Sequence, residues 1–198
     1  MRTLHLVSLG LLLLGTGCRW VEPLKRQKVY TAHEAGLTLI YENPQLESQA
    51  RMNARLQVRV EAARDGEAGT AVKMTYTSLQ GEMSALFFQK NGGISLSQDG
   101  RTPGLMILPE GFPDRVSRWE SNGTITRVLG RAAADLHGLK LPESADRVGV
   151  WTESVSPKGQ RQRSFLLPDI GEVETLIWRD GAWVSVNRLV SRGFTDLP

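Results

Sequence analysis

The 198-residue chain contains one cysteine. A single thiol excludes an internal disulfide framework and any cysteine-rich zinc site. There are three histidines, too few for a histidine-built metal centre unless carboxylates complete it. The formal net charge is only +3, too slight to imply a nucleic-acid partner. No apolar run reaches the about 20 residues that a permanent transmembrane helix needs. Catalytic signatures are also missing: there is no G-x-S-x-G elbow, no S-x-x-K, no H-E-x-x-H and no G-K-[ST] phosphate loop. Acyl, metal and phosphoryl chemistry each need such groups at set spacings, so the sequence offers no catalytic residue, no cofactor and no metal ligand set. What remains is ordinary globular composition, 40% hydrophobic and 23% charged, which excludes disordered, collagen-like and coiled-coil chains. The length suits one domain with a sizeable core.

The first eighteen residues carry an address. Met1-Arg2 is a short positive start, Leu4 to Leu14 is mostly apolar, and Gly15-Thr16-Gly17 places small residues before Cys18. This is the layout of an export signal. It resembles the bacterial lipoprotein signal, in which the cysteine receives lipid, palmitate included, and becomes the mature N-terminus. The family usually carries Leu three residues before the cysteine; here Gly15 holds that place and Leu14 lies one earlier. The resemblance implies a membrane anchor through lipid on Cys18. Arg19 is not the aspartate that retains such proteins at the inner membrane, so the resemblance also implies the outer membrane, facing the periplasm. The expected organisation is a signal peptide over 1–17, an acylated tether over 18–35 and a β-rich domain over 36–198. Lys25, Arg26 and Lys28 suit anionic lipid, and Trp20 suits the headgroup level.

Beyond Gly36 the pattern is alternation. Met52, Ala54, Leu56, Val58 and Val60 alternate with Asn53, Arg55, Gln57, Arg59 and Glu61, which predicts a half-buried strand. A helix is its rival, because Arg51, Arg55 and Arg59 also fall four apart. Further strands are expected over Val72–Thr77, Met83–Gln89, Ile94–Leu96, Leu105–Leu108 and Thr124–Leu129, then over Asp146–Val155, Arg161–Leu167, Glu172–Trp178 and Trp183–Val190. Asp65-Gly66, Asn91-Gly92, Asp99-Gly100, Asn122-Gly123, Lys158-Gly159 and Asp180-Gly181 supply the turns. Pro109 to Gly123 reads as irregular, and 131–141 as a short helix or an irregular connection. The expected fold is all-β: a single domain built as a curved antiparallel meander or half-open barrel.

Two apolar segments carry consecutive large residues, Leu105-Met106-Ile107-Leu108 and Phe165-Leu166-Leu167. Such strands are either covered on both faces or line an apolar cavity. For the cavity case the candidate ligand-binding residues are Tyr76, Leu86, Phe88, Trp151 and Trp178. Glu172 and Glu174, two apart, read as one carboxylate-bearing strand face. His137 follows Asp135 by two residues, and no further ligands join them.

The closing segment resembles the end of a family of uncharacterised bacterial lipoproteins. The residues are Pro168-Asp-Ile-Gly-Glu-Val-Glu, Trp178-Arg-Asp-Gly and Leu189-Val-Ser-Arg-Gly-Phe. In outline, an exported lipoprotein of this length made almost wholly of antiparallel strand is similar to the lipoprotein-localisation receptor LolB, a half-barrel that holds acyl chains. Two readings follow. One is a non-catalytic envelope lipoprotein that binds a protein partner or serves a structural role. The other is a carrier of an apolar ligand or lipid acyl chain in the concave face. A continuous apolar pocket of several hundred Å³ favours the second, and a side-chain-filled interior the first.

Overall fold

The computed structural model describes residues 28–194 other than 67, 136, 142 and 144. Cys18 and the signal-like segment lie outside the described residues. The strands are β1 (Leu37–Glu42), β2 (Leu56–Gly66), β3 (Gly69–Ser78), β4 (Gly81–Lys90), β5 (Gly93–Ser97) and β6 (Met106–Leu108), then β7 (Arg118–Ser121), β8 (Thr124–Ala133), β9 (Val148–Val155), β10 (Arg161–Leu167), β11 (Gly171–Arg179) and β12 (Ala182–Phe194). They form one antiparallel sheet in the order β6-β5-β4-β3-β2-β1-β12-β11-β10-β9-β8-β7. The all-β expectation is met: two six-strand meanders are joined through β1 and β12, and the sheet curls nearly to a barrel. The two edge strands meet where the Ser121 hydroxyl donates to the Met106 carbonyl.

Local chemistry explains the hairpins. Lys90 pairs with Gly93, Ser121 with Thr124 and Arg179 with Ala182, so each turn holds two residues. Asn91-Gly92, Asn122-Gly123 and Asp180-Gly181 all take positive φ, the geometry that joins twisted strands tightly and that Asn, Asp and Gly tolerate best.

The structure departs from the sequence reading in four places. Ser48–Asn53 is a short helix, so the first long strand begins at Leu56, and Met52 is exposed rather than strand-bound. Beyond it the alternation holds, with Val58 and Val60 buried. The segment read as irregular contains β7, and Trp119 on it is buried. Residues 131–133 extend β8, and His137 follows in a turn in which its amide donates to Asp135. Finally, Tyr30 and Ala32 are buried in the core, so the folded unit already includes residues that the reading gave to the tether.

The interior is closed at one end by aromatic packing. The rings of Tyr30 and Phe112 meet edge-on at 5.1 Å, and those of Phe112 and Trp119 at 5.6 Å. Leu37, Val60, Val72, Val150 and Leu167 fill the space around them with almost no exposure.

Candidate functional site in the barrel interior

Above this packed end the barrel holds a cavity of about 400 Å³. Its two walls differ in chemistry. Strands β1 to β5 contribute Leu39, Leu56, Val58, Met74, Phe87 and Ile94. Across from them, β8 to β12 contribute Thr126, Thr152, Ser154, Gln162, Ser164 and Asn187. The first wall is apolar apart from the Tyr41 and Tyr76 hydroxyls, and the second, which also carries Leu166 and Glu172, offers mostly hydroxyls and amides.

The polar wall is internally bonded. The Thr126 and Ser154 hydroxyls lie 2.9 Å apart, the Gln162 amide donates to Ser164 at 3.2 Å, and the Thr152 hydroxyl donates to the Ser164 carbonyl at 3.4 Å. Such a network satisfies buried polar groups while leaving acceptor capacity turned to the interior.

Glu172 is the one charged residue of the lining. A β-bulge puts it there. Phe165 pairs with Glu174, but the next residue, Leu166, pairs with Glu172, so β11 spends one extra residue on Val173. A bulge of this kind re-aims side chains. Glu172 thus faces the cavity, where its carboxylate accepts the Thr175 hydroxyl. Glu174 faces outward and accepts from Arg188 at 2.8 Å and from Ser185 at 2.9 Å. The single carboxylate face read from the sequence is therefore split between inside and outside.

Two tyrosines adjoin Glu172. The Tyr41 hydroxyl donates to the Glu172 backbone carbonyl at 2.8 Å. Burial, and then the Glu172 charge, raise the Tyr41 phenol far above its ordinary value; the same two causes push Tyr76 up to about 12. Both phenols are neutral donors at any physiological pH.

Of the residues singled out from the sequence, the structure places Tyr76 in the cavity lining and the other four elsewhere. Phe88 pairs with Ala71 and Ser95 on the outer face, and it shares a crevice there with Pro103, Gly104 and Met106. Leu86 is on the same outer face, with a Gly100 substituent position only 3.1 Å from its side chain. The loop that covers them is held by Asp99, whose carboxylate accepts the backbone N–H groups of Arg101 and Thr102, each at 2.8 Å. The inward residue is Phe87. Its neighbours in the sequence are equally apolar because that strand is covered on both faces, so alternation there cannot tell in from out.

Trp151 and Trp178 are also outside. Trp151 packs on Phe165 at 4.9 Å between ring centres. Trp178 meets Trp183 at 5.3 Å, and the two rings carry guanidinium groups: Arg163 lies 4.1 Å from Trp183, and Arg161 lies 5.3 Å from both rings. The arginines converge on Glu153, which is 3% exposed and accepts from Arg127 at 3.0 Å, Arg161 at 3.1 Å and Arg163 at 2.9 Å. Burial pushes the Glu153 carboxyl up, but the hydrogen bonds from Arg163 and Arg161 outweigh it and leave the group below its ordinary value. Among the described residues no group of three or more His, Cys, Asp or Glu is placed to hold a metal ion, and no helix is long and apolar enough to cross a membrane.

The chain matches no protein-family model and no curated protein sequence. Two solved structures are similar to it in outline. One is a protein from Bacteroides fragilis described as exported with a YmcC-like fold, 13% identical, with a TM-score of 0.47 over 84% of this chain and 99% of that one. The other is a protein from Parabacteroides distasonis described as a lipoprotein, 11% identical, with a TM-score of 0.48 over the same shares of the two chains.

Proposed function

We propose that this protein is a non-catalytic lipoprotein of the cell envelope that holds one amphiphilic ligand in its barrel interior. The observation that carries the reading is the cavity itself. A space of about 400 Å³ with one apolar and one hydroxyl-rich wall is what a small amphiphile needs. Its volume is the several hundred Å³ that the sequence reading required of a carrier, with a polar wall that the reading did not foresee. The ligand's chain lies against Leu39, Val58, Met74 and Phe87, where burial releases water from both surfaces. Its polar end lies against the serines, threonines and amides. No nucleophile–base pair is assembled on that wall, so binding rather than turnover is the proposed activity.

The envelope assignment rests on the sequence. The only cysteine follows an export-type apolar segment and small residues, and lipid on Cys18 would hold the barrel at a membrane, proposed here as the outer one on its periplasmic side.

The test is titration of the full-length chain with an environment-sensitive probe carrying one acyl chain and an uncharged head. Saturable binding near one probe per chain, displaced by an unlabelled monoacylglycerol, is the expected result. Binding that does not saturate, or none, overturns the carrier reading.

A further inference from the structure

The carrier reading leaves the ligand's head group undefined, and the charge of the cavity defines it. We infer that the interior selects amphiphiles whose head is uncharged or cationic and bears hydrogen-bond donors, and that Glu172 is the residue that rejects anionic heads. The inference rests on the carrier reading and adds a ligand class to it.

The lining contains no lysine and no arginine, so a ligand carboxylate or phosphate finds no counter-charge there. Two further arginines lie outside the lining: Arg131 is exposed and pairs with Asp114, and Arg192 pairs through one terminal nitrogen with Glu34 at 3.2 Å while its Nε is buried without a partner. The one charge facing the ligand is that of Glu172, whose carboxylate takes a single hydroxyl donor from Thr175. A carboxylate has about four lone-pair sites, so acceptor capacity remains for a donor brought by the ligand. Tyr41 is spoken for by the Glu172 backbone carbonyl, which fixes the strand segment carrying the carboxylate. Glu172 aside, the polar wall is neutral: Thr126, Thr152, Ser154, Gln162, Ser164 and Asn187 accept and donate without preference for charge. An anionic head entering this space meets like charge in a lower dielectric, where repulsion is stronger than in water. An ammonium, hydroxyl or amide head meets an acceptor.

Four single-chain competitors of equal chain length decide the matter: an alkylammonium, a monoacylglycerol, a fatty acid and an alkyl phosphate. Each displaces the uncharged probe from the full-length chain at pH 8, where the last two are anionic. The expected result is displacement by the first two at concentrations at least tenfold lower than by the last two. Glu172→Gln, which keeps shape and removes charge, is expected to bring the fatty acid to within threefold of the monoacylglycerol and to weaken the alkylammonium. The wild-type ranking needs no variant, so a Glu172→Gln protein that fails to fold leaves it decisive. Equal displacement by all four overturns the head-group inference while the carrier reading survives. Anionic competitors that displace best also overturn it. Failure of the probe to bind overturns both.

Discussion

Glu172 and Glu174 stand two residues apart on one strand, yet one faces the cavity and the other pairs with Arg188 on the outer surface. Regular strand geometry would put both on one face. The extra residue at Val173 separates them, turning one carboxylate inward and leaving the other to an outer-face ion pair.

Phe87 and Phe88 form a second such pair, now split by plain alternation. Phe88→Ala removes a ring clamped between the sheet and the loop over it and is expected to cost about 3 kcal/mol of stability while leaving probe affinity unchanged. Phe87→Ala enlarges the cavity and is expected to change probe affinity as well as stability. Thermal melts and probe titration of the two variants check this; loss of binding in Phe88→Ala alone reverses the assignment.

Met74 lies on the apolar wall, buried and flanked by free volume. Met74→Trp fills that volume with apolar atoms and removes one polar contact, that of the Tyr76 hydroxyl with the Met74 sulfur at 3.7 Å. It is expected to cost about 1–3 kcal/mol and to abolish probe binding. A well-folded Met74→Trp that still binds with wild-type affinity refutes the placement of the ligand.

Val58 and Arg59 test the sheet itself. Val58→Asp puts a charge into the interior beside Tyr76 and is expected to cost about 3 kcal/mol or more. Arg59→Asp alters the outer face, where Arg59 is half-buried 3.9 Å from Glu61, and is expected to cost about 1 kcal/mol, well below Val58→Asp. Equal melting temperatures in the two variants contradict the strand's orientation.

Glu153 confers a pH dependence whose sign is fixed. Its folded pKa lies below the ordinary value of 4.5, so the stability it adds is complete above that value and is lost as the pH falls through the lowered one. The three arginines can turn to water when Glu153 is removed, so Glu153→Gln is expected to cost about 2 kcal/mol at pH 7 rather than the full price of stranded buried charges. The difference between wild type and Glu153→Gln is expected to shrink at pH 3, as chemical denaturation at both pH values will report. A constant difference removes the titration account.

Cys18→Ala is expected to abolish incorporation of labelled fatty acid and to leave the protein either soluble outside the cytoplasm or as uncleaved precursor. Label retained on the variant refutes acylation at this cysteine.

The fold was legible wherever local chemistry decides it. Asn91-Gly92 and Asp180-Gly181 announce two-residue turns because few other pairs accept their backbone angles, and Arg161–Leu167 is a strand with the bounds read from the sequence. The cavity was barely legible. Of five candidate residues only Tyr76 lines it, because the outer face of this barrel carries its own apolar and aromatic packing, at Phe88 under a loop and at Trp178 under guanidinium groups. An aromatic residue buried from outside and one buried from inside look alike in a string of letters. The bulge at Val173 has no such signature either, since it arises from the register of two strands rather than from either alone.

The strand order has a kinetic meaning. Every pairing in the sheet joins strands adjacent in the chain except that of β1 with β12, in which Leu37 meets Phe194. Each meander can therefore zip up from its own hairpins at small entropic cost, and nearly all of the long-loop closure falls on one event. That event creates the cavity, because its apolar wall belongs to the first meander and its polar wall to the second. A chain caught before β1 meets β12 has two half-sheets and no cavity, so the proposed ligand, if present during folding, would favour the closed state only at the last step.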